Sequence, residues 1–330
     1  AGLAIVSLVA SAFFTAFTGA SGVTIIALGA ILFPAMHQAG YPEKFNLGLV
    51  TSAGSLGLLF APSLPLILYG VVAEVPIEDL FLAGLLPGFL MLIILSAYSM
   101  WKNNAIRTPL GDFSWKEVRG ALRESMWELP LPIVVLGGIY SGYFAISEAA
   151  AVTALYVLII DVLVLKEVSL RKLPAIIRES MILVGGIMMI LGVSRASTNF
   201  MIDAGVPQQL LEWISGFVTG ETAFMVMLLL FLLMLGAILD VFSAIVLVVP
   251  LILPVAMQFG IHPVHLGIVF LATMQIGYIT PPIGLNLFIA GYRFDRPIVS
   301  IYLSTLPFFV FLMMSVVLIA FWPMLSLMFL

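Results

Sequence analysis

The sequence predicts an all-α polytopic membrane protein in which two re-entrant helical hairpins and two broken transmembrane helices form an inverted repeat. Three observations lead there. The 330 residues have a mean hydropathy of +1.22 and are 62% hydrophobic and only 9% charged, with apolar runs near the ~20 residues that carry a helix across a bilayer. Helix breakers recur at a fixed offset. Pro34 and Pro254, Gly57 and Gly277, Pro62 and Pro282, and Pro87 and Pro307 are each 220 residues apart, a spacing that reads as a duplicated unit. Finally, 12 of the 13 Lys and Arg fall in four loops, at Lys44, between Lys102 and Arg123, between Lys166 and Arg178, and at Arg293 and Arg296. Glu74, Glu78, Asp79, Asp203, Glu212 and Glu221 fall in other loops. The positive-inside rule puts the cationic loops in the cytoplasm.

One path through the membrane satisfies these constraints. Residues ~5–36 dip in from the cytoplasm around "TGASG", ~46–70 cross outward with a break between Gly57 and Pro65, and ~80–100 return. "SWKEVRGALRESMWELP" (114–130) sets Trp115, Val118, Leu122 and Met126 at helical spacing among charges, the pattern of an amphipathic arm on the cytoplasmic surface, and "SLRKLPAIIRES" (169–180) reads as its shorter counterpart. Paired helices at ~129–146 and ~148–165 go out and back, and ~180–199 crosses outward. Residues ~222–255 dip in from outside around "LDVFSA", ~265–290 cross inward with a break between Gly277 and Pro282, and ~298–325 end outside. The two matching halves then have opposite orientation. Inverted repeats with interrupted helices mark a secondary transporter with its site near the midplane.

The breaks carry the functional reading. In hydrocarbon every backbone N–H and C=O needs a partner, so a broken helix survives where it lines a polar cavity or coordinates something. In "QIGYITPPIGLNLF" (275–288), Pro281 and Pro282 remove two donors and disfavour helix before them, leaving carbonyls such as that of Gly277 without helical partners. Free carbonyls suit hard cations. The next half-helix, starting near Ile283 and Gly284, offers N–H groups and a positive dipole end to an anion. A single break would be read as a kinked helix, whereas a matched pair favours a site for a coupling cation and an anionic substrate.

Each break has a polar hairpin tip upstream. "FTGASGVT" (17–24) brings Thr18, Gly19, Ser21 and Thr24, and "LDVFSA" (239–244) brings Asp240 and Ser243. An acid at membrane depth costs ~2.5–3.5 kcal/mol on insertion scales, so Asp240 is read as an ion-site or gate residue, against the alternative of a structural pair with Arg195. Glu148 falls in the first turn of a helix, where a carboxylate is favoured anyway, and Asp161 and Arg195 lie near helix ends. With no cysteine there is no disulfide, thiolate metal site or Cys nucleophile in this sequence. The three histidines, His37, His262 and His265, fall in expected loops. A net charge of −4 gives no basic face for nucleic acid. A catalytic set is missing too, since no second acid is spaced to form a dyad with Asp240.

"GGIYSGYFAISEAAAVTALY", "FTGASGVTIIALG", "GSLGLLFAPSLPLILYG" and "IGYITPPIGLNLF" together resemble the large membrane subunit of tripartite ATP-independent periplasmic (TRAP) transporters, along essentially the whole chain. The resemblance implies an inverted-repeat, elevator-type transporter in the bacterial inner membrane. It implies a small four-helix membrane subunit, separate or fused, and a periplasmic substrate-binding protein as partners. The cargo would be a carboxylate-bearing organic acid, often a C4-dicarboxylate or sialic acid, driven by a sodium gradient, with no cofactor beyond Na+ as coupling ion. Carried over by motif, the first sodium site would use Thr18 or Ser21 with carbonyls of Gly57, Phe60 and Pro62. The second would use Asp240, Gly277 and Thr280. Gly19, Ser55, Ser63, Ser243, Pro282 and Asn286 would face the substrate. The family often has a second Ser where this chain has Ala20. Residues 1–70 and 217–291 would form the transport domain, 71–216 the scaffold with its arms, and 292–330 a C-terminal scaffold helix. The repeat arithmetic places the partners of helices ~129–216 before residue 1, so roughly 90 residues are expected to precede this sequence. The rival readings are a sodium-coupled divalent-anion carrier working without a binding protein and, less well supported, an ion channel.

Overall fold

The structure, a computed structural model, describes residues 2–104, 114–218 and 220–330, and all regular elements among them are helical. Arg107, counted above among the loop cations, lies outside the described residues, as does the side chain of Arg195. Six helical stretches are long and apolar enough to cross a membrane: Ser21–Gln38, Ile77–Lys102, Ile146–Val164, Leu173–Val193, Val241–Gln258 and Ile298–Phe321. A seventh arises if the bent pair Glu43–Leu59 and Leu64–Ala73 counts as one span. The chain is thus a polytopic helical membrane protein.

Residues 1–108 and 194–330 form one compact unit, and 109–193 a second. In the first unit, α1 (Gly2–Thr18) and α2 (Ser21–Gln38) form a helical hairpin closed by Gly19 and Ala20. Then α3 (Glu43–Ala53), a 3₁₀ turn (Leu56–Leu59) and α4 (Leu64–Ala73) follow, with a 43° bend at the break. Helix α5 (Ile77–Lys102) begins after Pro76, with Glu78 and Asp79 in its first turn and Lys102 in its last, charges placed as the helix dipole prefers.

The same order returns after residue 220. A hairpin of α11 (Glu221–Gly236) and α12 (Val241–Gln258) precedes α13 (Pro263–Gly277), a break, and α14 (Leu285–Phe294). Helix α15 (Ile298–Phe321) and a short α16 (Met324–Leu327) close the chain. Details match as well as order. The turn after each hairpin uses a left-handed glycine, Gly40 (φ 82°) and Gly260 (φ 86°), and each break has a cis X–Pro bond, Ala61–Pro62 and Pro281–Pro282. These pairs too are 220 residues apart.

Lipid tails are as apolar as leucine, so helices in a bilayer associate through close packing rather than through hydrophobic exclusion. Glycine supplies that closeness here. A Cβ on Gly48 of α3 would stand 2.1 Å from the Ser304 carbonyl oxygen of α15, and one on Gly84 of α5 would stand 2.0 Å from that of Leu59. Helix α3 is buried from Phe45 to Ala53 and α13 from Val264 to Gly277, so these two helices form the centre of the unit, with α15 packed on both and α5 on α13. The hairpins interlock across the halves, α2 packing on α14 and α12 on α4.

His265 differs from its expected loop position. It lies in the first turn of α13, buried, with its ring between the Ser326 hydroxyl (3.1 Å) and the Ala320 carbonyl (3.2 Å). At the opposite rim, Arg296 pairs with Glu43 through Nη2 (2.7 Å) and Nε (2.8 Å) to one carboxylate oxygen. Both side chains are about half exposed, so Glu43→Gln should lower unfolding stability by no more than ~1 kcal/mol. Thermal melts in detergent at two salt concentrations would check this.

The second unit contains α6 (Trp115–Glu124), capped by Ser114, whose hydroxyl accepts from the Glu117 N–H at 3.4 Å. Helix α6 buries no residue. Helices α7 (Pro130–Tyr140) and α8 (Ile146–Val157) pack together, and α8 continues as a π-helical stretch, Leu158–Val164. Glu148 holds the start of α8 by accepting from the Ala145 N–H at 3.0 Å. The arm expected at 169–180 and the span expected at 180–199 are one continuous helix, α9 (Leu173–Asp203), whose length carries it past the unit boundary. Pro174 occupies the first turn, where a missing N–H costs nothing, and no other proline interrupts the helix. Helix α10 (Val206–Ser215) follows in the first unit.

Candidate functional site

The two breaks are built alike from backbone. The Gly57 carbonyl accepts from the Phe60 N–H at 3.1 Å, and the Gly277 carbonyl accepts from the Thr280 N–H at 2.9 Å. The Gly277 carbonyl, expected to lack a helical partner, is taken up by a turn: each of these carbonyls closes a tight turn and keeps one lone pair beyond it. Both glycines sit against the backbone of their own hairpin. A Cβ on Gly57 would lie 2.1 Å from Ala12 O and 2.4 Å from Ala16 N, and one on Gly277 would lie 2.5 Å from Gly236 Cα. Glycine is required at both places because only a bare Cα lets the first arm of each hairpin reach the break.

At the first tip, Thr18 is exposed, and Gly19 (φ 66°) is buried under Leu64. Ser21 is buried, and its hydroxyl donates to Asn286 Oδ1 at 2.8 Å, so it reaches the other half of the chain. Thr15 and Thr24 share a hydrogen bond of 2.6 Å, and Thr15 also donates to the Gly54 carbonyl at 2.8 Å. These threonines pin the hairpin to its own break. Phe60 and Pro62 are half-buried, and the Phe60 ring meets Phe89 edge-on at 5.4 Å. Ser63 is fully buried, its hydroxyl without a hydrogen-bond partner among the described residues, and Ser55 donates to the Gln275 carbonyl at 3.4 Å.

At the second tip, Asp240 is the N-cap of α12. Its Oδ1 accepts from the Ser243 N–H at 3.0 Å and its Oδ2 from the Ser243 hydroxyl at 2.5 Å. A side chain read from sequence as costly therefore has a local task, satisfying an otherwise unpaired helix-start donor. Asp240 is exposed, and Ser243 half-buried. The Thr280 hydroxyl folds back to the Ile276 carbonyl at 2.8 Å, and Pro282 is exposed. The Gly284 N–H, expected to face an anion, donates to the Ala237 carbonyl at 3.1 Å. Asn286 is fully buried with both ends of its amide engaged, by Ser21 and by the Thr51 carbonyl (3.3 Å). Among the described residues no group of three or more His, Asp or Glu could hold a metal ion; the oxygen donors at the two breaks and tips are carbonyls, hydroxyls and the Asp240 carboxylate.

Sequence reasoning missed Tyr278, whose buried hydroxyl accepts from the Val241 N–H at 2.6 Å, and Gln275, buried with its amide nitrogen on Met91 Sδ at 2.7 Å. The signal was available for Tyr278, a polar aromatic beside a break in an apolar run.

Comparison with known families decides what this architecture belongs to. A family model described as "Tripartite ATP-independent periplasmic transporter, DctM component" matches residues 1–325. The chain belongs to the DctM family of TRAP transporter large permeases. Relatives of this permease include a C4-dicarboxylate TRAP transporter large permease protein from Pseudomonas aeruginosa, 32% identical over 99% of this chain and 77% of its own length. A sialic acid TRAP transporter large permease protein from Vibrio cholerae is 31% identical over 98% of this chain and 76% of its own length. An isethionate TRAP transporter permease protein, DctMQ, from Oleidesulfovibrio alaskensis is 33% identical over 96% of this chain, which covers 50% of that relative. These relatives are transporter permeases.

Proposed function

We propose that this permease conducts a carboxylate-bearing organic solute inward by sodium-coupled alternating access, receiving it from a periplasmic binding protein and working with a small membrane subunit in the bacterial inner membrane. One observation carries the reading: the geometry of one break recurs at the other with an offset of 220 residues, in turn bonds and glycine contacts. Ser55 touches Gln275, its own counterpart at that offset. Residues that meet their counterparts lie on the axis relating two copies, which supports an inverted repeat with two re-entrant hairpins and a site at the axis.

In this reading Thr18 or Ser21 with the carbonyls of Gly57, Phe60 and Pro62 form one sodium site, and Asp240, Gly277 and Thr280 the other. Gly19, Ser55, Ser63, Ser243 and Pro282 border the solute. Asn286, engaged at both ends, would reach solute only after the first tip moves. An elevator would carry both hairpins and both broken helices together, and the packing of α15 on α3 and α13, and of α5 on α13, favours counting those two helices with the moving body rather than with the scaffold. The relatives named for a C4-dicarboxylate and for sialic acid support an organic anion as cargo. The DctMQ relative, half of which lies outside the match, leaves room for a small-subunit segment in one polypeptide.

Proteoliposomes containing the full-length permease and small subunit, supplied with loaded binding protein, should accumulate solute only under an inward sodium gradient. Accumulation that survives collapse of that gradient would remove sodium coupling. Accumulation without the binding protein would favour the simpler anion carrier, and non-saturating conductance a channel.

A further inference from the structure

We propose that Tyr278 and Asn286, which close the second break into a loop, are positioning residues that couple the two hairpin tips to each other. The inference deepens the transporter reading, because it takes the tips as the parts that gate the site. The loop from 278 to 286 is closed at its base by the Asn286 N–H donating to the Tyr278 carbonyl at 3.0 Å. One base side chain serves the second tip. Val241 N–H donates to the Tyr278 hydroxyl at 2.6 Å, and Gly284 N–H, inside the loop, donates to the Ala237 carbonyl on the other flank of that tip. The second base side chain serves the first tip. Asn286 accepts from the Ser21 hydroxyl and donates to the Thr51 carbonyl, and this pairing fixes which way its amide points.

The first break has no equivalent. Leu58 and Leu66 stand 220 residues before Tyr278 and Asn286, both buried, and neither can hydrogen-bond through its side chain. At the first tip Gly19 lies against Leu64, whose Cβ would stand 2.9 Å from a Cβ built on the glycine. The two otherwise matched halves are therefore joined tip to tip through one short closed loop belonging to the second. A loop closed at its base shifts as a unit, so displacing one tip strains the hydrogen bond that holds the other. Such coupling is reciprocal.

The sequence contains no cysteine, which gives a clean background for thiol labelling. Ala20→Cys reports on the first tip and Ile238→Cys on the second, in the full-length permease in membrane vesicles with a membrane-permeant maleimide. The assay needs neither substrate nor sodium, so coupling can fail while the transporter reading stands, and the reverse. Tyr278→Phe keeps the ring and removes the acceptor. It should speed labelling at Ala20→Cys as well as at Ile238→Cys by about two- to ten-fold, the range for one buried hydrogen bond. Asn286→Leu should show the reciprocal pattern, with partial return toward the parent rate in Asn286→Asp, which keeps the acceptor for Ser21. Acceleration confined to the tip nearest the substitution, or no acceleration at either, overturns the proposal. If Tyr278→Phe does not accumulate in the membrane, the Asn286 variants decide it by the same criterion.

Discussion

Gly57→Ala and Gly277→Ala should each abolish most uptake. At Gly57 the new methyl would fall 2.1 Å from Ala12 O and 2.4 Å from Ala16 N, and at Gly277 within 2.5 Å of Gly236 Cα and C. These are backbone atoms, which cannot swing aside as a flexible side chain does. Relief requires the first arm of the hairpin to move off the break, at a cost of ~1–3 kcal/mol or more in stability. Because a displacement of about 1 Å at a positioned site can cost 10²-fold in rate, uptake should fall further than stability does. Gly137→Ala is the control, since nothing lies within 4 Å of its added methyl. It should be neutral or slightly stabilising, as alanine exceeds glycine in helix propensity by ~1 kcal/mol. Uptake at the parent level in Gly57→Ala or Gly277→Ala would show that the hairpin arms do not rest on the breaks.

Asp240→Asn should weaken the sodium dependence of uptake while the melting temperature in sodium-free buffer holds. The structure makes this substitution cleaner than the sequence alone implies. Asp240 caps α12 by accepting from Ser243, and Asn caps about as well as Asp. The change thus removes charge and leaves the cap. Asp240→Ala removes both and should add a loss of about 0.5–2 kcal/mol in stability. Unchanged sodium dependence in Asp240→Asn would leave the carboxylate with its capping role only. The two variants together separate ion binding from helix capping, which a single alanine substitution would confound.

What the sequence made legible follows from where punctuation is strongest. Proline and glycine act locally, so the breaks at Gly57 and Gly277 and the tips at Gly19 and Asp240 were readable without contacts, and helices lie around them. The offset of 220 was readable because breakers tolerate little substitution. Longer-range facts were hidden. Nothing local shows that Ser21 bonds Asn286 across 265 residues, or that His265 is closed off by Ser326. The length of α9 was missed because Pro174 and the charges around it resemble a boundary, while a proline in a first turn is compatible with a helix that runs on. The capping role of Asp240 could have been read, since an Asp immediately before an apolar helical run is a helix-start signal.

The central claim is that the two halves carry the same geometry in opposite orientation, and accessibility of two matched positions tests it most directly. His37 and Met257 are exposed, occupy the last turns of α2 and α12, and lie 220 residues apart. In the cysteine-free background, His37→Cys and Met257→Cys can each be labelled in intact spheroplasts with a membrane-impermeant maleimide. Opposed hairpins require Met257→Cys to react from outside, and His37→Cys to react only after the membrane is permeabilised. Labelling of both positions from the same side would contradict the inverted repeat and, with it, the paired ion sites built on it.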